Sequence, residues 1–431
     1  MSFNRVPKSN RLHIVIFGRM NVGKSSIVNL ISGQETSIVS NVPGTTTDVV
    51  EKTMELLPIG PIVLTDTAGL NDPTDLGKTR IEKTQKFFDI MDVAVFVMEA
   101  GVFNDEDKNI LVKLLEKSKY KNIPLIVIIN KMDLVDKEAL QNSILKIENF
   151  IIQKRLTNSN FKLEYKILNF SAPTKYHEKR NFYIDNFKKA LIDITSKDFF
   201  KSDTILGDLI NRNDTIILII PIDNEAPKGR LILPQVQIIR DILDNDAINI
   251  VVKETQYLEA INRLKEYPKL VVCDSQIVDF MVENTPIGIF CTTFSILFAR
   301  YKTNKEVFQK YIQGANQLDK LKNGDKILIS EACTHHAIDD DIGRIKIPKW
   351  IREYTKKESL IFEVKSGYDF PQNLDDYALI IQCGSCMINK SLTVARTTKA
   401  IEKGIPISNY GMIISKCKGQ HIFNRVLEKF L

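Results

Sequence analysis

Short aliphatic runs recur along the chain, and amphipathic, Lys-rich stretches fill the intervals between them. In the first part LHIVIF (Leu12 to Phe17), PIVLTDTAG, IPLIVII and YKILNF read as short strands, the first of them buried. The first run leads into an apolar-periodic helix, SIVNLIS, that stops at Gly33. A polar stretch, DITSKDFFKSDTILGDLINRND, closes this part. The pattern then restarts as TIILIIPID, AINIVVKE, KLVVCD and IGIFCTTFSILFARY, with LPQVQIIRDILD and TQYLEAINRLKEY as helical segments between them. A third group opens with the polar helix KEVFQKYIQGANQLDKLK, followed by the strands DKILISEAC, LIFEVKSG and YALIIQCGSC. The pattern predicts an α/β chain of three domains, covering residues 1–198, 199–303 and 304–431.

Length agrees with that division: 431 residues exceed one ordinary core, at roughly 150 residues per domain. The net charge of +6 is spread over Lys-rich helices and not gathered into a run, so it reads as solvated surface, and no nucleic-acid partner is expected. No apolar stretch approaches the roughly 20 residues of a membrane helix, and the apolar core near the N-terminus is too short for a signal peptide. No membrane partner and a cytoplasmic location are expected. Six cysteines in such a chain are not a disulfide framework; those that matter should be metal ligands or catalysts.

The first domain carries nucleotide chemistry. Between strand and helix stands Gly18-x-x-x-x-Gly23-Lys24-Ser25, with Asn21, Val22 and Ser26 in the same turn. Glycines there let backbone N–H groups curl around phosphates at a helix N-terminus; Lys24 reaches the outer phosphates and Ser25 binds Mg²⁺. Asp66 ends a strand where a carboxylate can hold Mg²⁺ through water, and the Gly69 amide can sense the γ-phosphate. Asn130, Lys131 and Asp133 follow another strand. The Asp133 carboxylate can accept from two N–H donors on guanine that adenine lacks, and leaving it unpaired can discriminate by about 10⁴, so GTP is the expected nucleotide. Ser171 and Ala172 fit the loop that backs the base.

With PGTTTD at Pro43 to Asp48, this part resembles the translation-factor-like GTPases of the tRNA-modification and ribosome-assembly group. The resemblance implies that Thr46 reaches Mg²⁺ when GTP is bound and that Asn21 helps hold K⁺ against the phosphates in place of an arginine finger. Leu70 stands where many GTPases place a water-orienting glutamine, and it cannot hydrogen-bond water. The downstream glutamate of the tRNA-modifying relatives aligns with Lys78, with Asp75 and Glu82 nearby. No catalytic base is assigned, and slow hydrolysis is expected.

The middle domain has neither a phosphate loop nor a cluster of titratable groups, and it is read as a small parallel α/β dimerisation domain, with a simple spacer domain as the alternative. Cys273 and Cys291 lie inside apolar strands as core residues. In the third domain one strand delivers Cys333, His335 and His336, and a later one delivers Cys383 and Cys386. Two strand ends emptying ligand-type residues suggest one site at the carboxyl edge of an open sheet. Four readings fit the residues: a redox pair, a Cys₃His zinc site, structural cysteines without metal, and an iron–sulfur cluster on three thiolates. His13, His177 and His421 read as core or surface residues, and Cys417 as a spectator thiol.

The order of GTPase, middle α/β domain and Cys-x-His then Cys-x-x-Cys unit resembles the [FeFe]-hydrogenase maturation GTPases along essentially the whole chain. PIDNEAPKGRLILPQVQ and TTFSILFARYK also match that pattern. The resemblance implies a GTP-dependent scaffold, forming a homodimer or higher homo-oligomer. It would hold a [4Fe-4S] cluster on Cys333, Cys383 and Cys386, with His335 or His336 as a further ligand. It also implies a diiron precursor received from two radical-SAM maturases and passed to apo-hydrogenase. Gln382 departs from the histidine often found there; an amide is a poor iron ligand, which leaves His335, His336, Asp339 or water as the fourth. From another class, a regulatory RNA- or ribosome-associated GTPase with a zinc-stabilised C-terminal domain would carry a basic, aromatic-bearing surface there; this region instead interleaves its basic residues with IDDD and NLDDYA. A structural adaptor without metal is the third reading.

Overall fold

The computed structural model describes residues 7–33, 50–67, 86–121, 123–156, 163–171, 179–195, 204–222, 229, 231–332 and 341–431. They fall into two compact units, Met1–Ser202 and Asp203–Leu431. Thr46, Gly69, Leu70, Asp75, Lys78, Glu82, Ala172, His177, Cys333, His335, His336 and Asp339 lie outside the described residues.

The first unit is built on a six-stranded sheet in the order β2-β3-β1-β4-β5-β6. Its strands are β1 (Leu12–Phe17), β2 (Val50–Leu56), β3 (Gly60–Asp66), β4 (Val93–Glu99), β5 (Leu125–Asn130) and β6 (Tyr165–Asn169). Only β2 runs antiparallel, pairing with β3 at the edge, and it alternates exposed and covered side chains. By contrast β1 and β5 are buried at every position, the consequence of helices on both faces.

The second unit holds two four-stranded sheets, each parallel throughout. One has the order β10-β9-β7-β8, from β7 (Thr215–Ile219), β8 (Ile248–Val252), β9 (Leu270–Cys273) and β10 (Phe290–Thr293). The other has the order β12-β11-β13-β14, from β11 (Lys326–Ser330), β12 (Ile361–Lys365), β13 (Tyr377–Gln382) and β14 (Ile407–Asn409). One buried cluster runs through both, with Ile217, Ile219 and Val271 from the first and Ile327, Ile329 and Leu379 from the second. The expected divide near residue 303 therefore passes through shared packing. Beside β14 the packing leaves no room for a side chain at Gly314 of the helix Lys305–Ala315, where a Cβ would lie 2.0 Å from the carbonyl oxygen of Ile407.

Two features depart from the pattern in the sequence. The run IGIFCTTFSILFARY, read as one apolar strand, is β10 followed by the helix Phe294–Lys302. The switch falls at Thr293, whose hydroxyl accepts the Ile296 N–H at 3.2 Å and so caps the new helix. β14, with only three residues, is too short for a periodic signal and forms because β13 supplies its pairing.

Cys273 and Cys291 are buried, and burial pushes the Cys291 thiol up to about 11. Burial likewise raises Cys417 to about 12. His13 is buried, with its Nε2 3.0 Å from the Lys8 carbonyl oxygen, whereas His421 is exposed. β8 forms a sheet edge and exposes 51% of Ile248 and 45% of Val251. Among the described residues no helix is long and apolar enough to cross a membrane.

Candidate functional site

The loop after β1 is shaped by close contacts that leave no room for side chains. Gly18 has φ +148°, and a Cβ would stand 2.2 Å from the Val97 carbonyl oxygen of β4. Gly23 has φ +96°, and a Cβ would stand 2.2 Å from Asn130 Nδ2. Asn21 adopts φ +61° between them. The helix Lys24–Ser32 starts at this turn, so its first N–H groups open onto the loop, with Ser25 and Ser26 in its first turn.

Lys24 is buried and donates from Nζ to the carbonyls of Gly18 (2.8 Å) and Arg19 (2.7 Å). Burial lowers it to about 8, opposed by the nearby Asp66 carboxylate. Ser25 Oγ donates to Asp66 Oδ2 at 2.5 Å. The hydroxyl and carboxylate expected around Mg²⁺ are thus neighbours. Thr67 fixes the strand end beside them through Oγ1, which donates to the Ile16 carbonyl at 2.6 Å.

The guanine-type motif leaves the end of β5. Asn130, 1% exposed, donates from Nδ2 to the Val22 carbonyl at 2.9 Å, so it ties the base-side loop to the phosphate-side loop. Lys131 takes φ +60°, and Asp133 accepts from Ser171 Oγ at 2.6 Å. That hydroxyl orients one carboxylate oxygen of an exposed side chain.

Three further residues complete the unit's polar frame. Glu99, at the end of β4, lies 3.4 Å from Arg19 and 3.2 Å from Lys131, while Arg19 also reaches the buried Asp107 at 3.3 Å. Sequence spacing gave no sign of this network, because Arg19 and Asp107 meet only through the fold.

In the second unit β11 and β13 are adjacent and parallel, so their carboxyl ends lie side by side. The Cys383 N–H donates to the Ser330 carbonyl at 3.0 Å, extending the ladder one residue past β13. Its sulfur accepts the N–H of Ala332 at 3.1 Å and of Ser385 at 3.4 Å. Ser385 is left-handed at φ +58°, which folds the chain back toward Cys383. Ala332, the residue before Cys333, thus lies against the turn that begins at Cys383. Two backbone donors aimed at one sulfur suit a thiolate, the form that binds metal. Cys383 and Cys386 are partly covered, and Cys386 packs on a core that includes Phe294 and Phe298.

Gln382 is 1% exposed and faces inward. Its Nε2 donates to Ser385 Oγ at 2.9 Å, and its Oε1 accepts from Tyr311 at 3.3 Å. This position supports the turn from within. Among the described residues no three His, Cys, Asp or Glu side chains form a group able to hold a metal ion.

A family model described as the hydrogen maturase F dimerization domain matches residues 205–303, and one described as its tetramerization domain matches 309–429. Together these span half of the chain. The chain belongs to the hydrogen maturase F family. Its first unit is a GTPase domain: a 50S ribosome-binding GTPase model matches residues 13–131, and an elongation factor Tu GTP binding domain model matches 75–251. Among curated relatives, the tRNA modification GTPase MnmE of Acetivibrio thermocellus is 39% identical over 29% of this chain and 26% of its own. That of Clostridioides difficile is 40% identical over 33% and 30%. The chain thus spans under a third of the length of these two relatives. A solved structure of an Aquifex aeolicus Era variant bound to GDP·AlF4⁻ covers 56% of this chain and 93% of its own, at 20% identity and a TM-score of 0.33. The family's oligomerisation models fall on the second unit, and its sheets supply the edge strands β8, β10, β12 and β14.

The buried Lys24 ammonium generates a pH prediction. Below about 8 it is already protonated and meets the phosphates as a cation; above about 8 binding must first take up a proton. Titrating a non-hydrolysable GTP analogue from about pH 7 to about pH 9 should show affinity falling as pH passes 8, approaching tenfold per unit. Lys24→Arg, whose guanidinium does not titrate in this range, should bind more weakly but without that dependence. An identical slope in both proteins would show that Lys24 is not the titrating group.

Proposed function

We propose that this chain is a GTP-hydrolysing scaffold of [FeFe]-hydrogenase maturation. Its second unit would hold a [4Fe-4S] cluster on Cys333, Cys383 and Cys386, with His335, His336 or Asp339 as candidates for the fourth position. The observation that carries this reading is the Ala332 N–H on Cys383 Sγ at 3.1 Å, since it brings the residue before Cys333 against the Cys-x-x-Cys turn. With water or only a weakly held side chain in that fourth position, a cluster on three thiolates would supply one iron open to an exogenous ligand. The cargo is a diiron precursor, received from two radical-SAM maturases and delivered to apo-hydrogenase. Gln382, turned inward to Ser385 and Tyr311, serves to hold the turn and not to bind iron.

The nucleotide half works as a switch. Gly18, Gly23 and Lys24 bind the phosphates, Ser25, Asp66 and Thr46 hold Mg²⁺, and Asn21 holds K⁺. Asn130, Lys131, Asp133, Ser171 and Ala172 bind the base, while Gly69 senses the γ-phosphate. Segments ordered by γ-phosphate and Mg²⁺ relax on hydrolysis, and the change biases partner contacts. With no water-orienting side chain assigned, turnover is slow.

A homodimer forms through the β8 edge, where exposed Ile248 and Val251 accompany unpaired backbone groups. The Ile248 N–H is taken up by the Asp214 carbonyl beside β7, and parallel alternation turns the Val251 N–H outward.

Four measurements test these parts. Protein purified without oxygen should contain about four iron and four acid-labile sulfide per chain, both lost in Cys383→Ser. About one zinc without sulfide would instead make the C-terminal site structural. For the switch, the non-hydrolysable analogue and GDP should differ at least several-fold in the affinity they confer for apo-hydrogenase or the maturases, with single-turnover hydrolysis faster in K⁺ than in Na⁺. Equal affinities would exclude the switch. Val251→Pro should leave the β7 ladder intact yet weaken self-association by about tenfold or more in sedimentation equilibrium; unchanged association would place the interface elsewhere.

A further inference from the structure

The stretch TTFSILFARYK has no part in nucleotide binding and supplies no cysteine. In the fold it is the end of β10 and the helix Phe294–Lys302, and this helix lies against the turn that carries Cys383 and Cys386. Gly384 sits so close that a Cβ there would be 3.8 Å from Ser295 Cα and 3.9 Å from Phe298 Cβ. Ser295 Oγ accepts from Asn409 Nδ2 at 2.8 Å and from the Gly411 N–H at 3.1 Å, which fastens the helix to the end of β14. Two turns on stands Lys302, 2% exposed, with Nζ donating to the Ile388 carbonyl at 3.1 Å. Ile388 closes the cysteine turn itself, through its N–H to the Ser385 carbonyl at 3.3 Å.

A second buried cation is linked to the same turn. Arg396, also 2% exposed, donates to Ser330 Oγ at 3.2 Å, and the carbonyl of the same Ser330 accepts the Cys383 N–H. Removing an ammonium from water is strongly unfavourable, and a nearby anion is what most effectively offsets it. Thiolates carrying a cluster are such an anion, and a fixed positive charge beside them favours the more negative, reduced state.

We propose that Lys302 is a positioning and charge-compensating residue for the anionic group held by Cys383 and Cys386. Through Ile388 it sets the shape of the turn, and through its charge, together with that of Arg396, it eases reduction. The hydrogen bond positions; the charge adds an electrostatic effect that a neutral donor lacks. This inference rests on the iron–sulfur reading of the site.

The test uses the full chain, purified without oxygen, as wild type, Lys302→Gln and Lys302→Arg. Glutamine keeps a donor for Ile388 but no charge; arginine keeps the charge. Iron and sulfide per chain are counted, and the midpoint potential is followed by electron paramagnetic resonance. K302Q should keep its cluster but disfavour reduction about tenfold, a midpoint about 59 mV lower for a one-electron couple, while K302R stays near wild type. If K302Q loses the cluster, a full cluster at wild-type potential in K302R still supports the charge role, and its loss there overturns it in favour of packing alone. A K302Q potential equal to wild type overturns the inference but leaves the cluster reading intact. A wild-type chain without sulfide overturns both.

Discussion

Parallel strands cannot be joined by a tight turn, so each must hand the chain to a crossover that returns it to the opposite edge of the sheet. In this protein that constraint gathers the carboxyl ends of β1, β3, β4 and β5 along one edge and those of β11 and β13 along another. At those edges the ladder stops and backbone N–H groups become available. Three non-glycine residues with positive φ, Asn21, Lys131 and Ser385, stand in the loops that follow β1, β5 and β13. Such a conformation costs about 1–3 kcal/mol. One buried aliphatic side chain contributes about 1.5–3 kcal/mol, so the apolar strands flanking each loop readily offset it.

Both candidate sites use the same resource, backbone N–H groups freed at a strand end, in different forms. After β1 the donors belong to a glycine-bounded loop and a helix N-terminus, an arrangement suited to phosphate. After β11 and β13 two donors converge on a single sulfur, an arrangement suited to thiolate. In each case a buried lysine donates to carbonyls of the loop: Lys24 to Gly18 and Arg19, Lys302 to Ile388. A cation held in this way is already oriented before an anion arrives, which reduces the ordering that must accompany binding.

The second unit also shows why its two sheets act together. Their shared core joins Ile217 and Val271 to Ile329 and Leu379, and the helix after β10 carries one sheet's packing directly to the other's cysteine turn. The oligomerisation models of the hydrogen maturase F family divide this unit at the junction after residue 303, although its hydrophobic packing is continuous. In the first unit Asn130 plays the corresponding part, tying the base-side loop to Val22 of the phosphate loop.

The sequence by itself determined the class of the fold and singled out the phosphate and guanine motifs of the GTPase domain. Uniform aliphatic runs can be buried only between helices, and the phosphate and guanine motifs owe their function to local spacing, which a one-dimensional pattern preserves. It also singled out Cys383 and Cys386 as a pair at a strand end. It did not show that the run from Ile287 ends as strand at Thr293, because apolar content is the same in a buried strand and a buried helix, and a cap decides between them. Only the tertiary structure decided that Gln382 meets Tyr311, that Arg19 meets Asp107, and that Lys302 reaches the cysteine turn. Those contacts join residues far apart in the chain, and their energy comes from burial and electrostatics that no local spacing records.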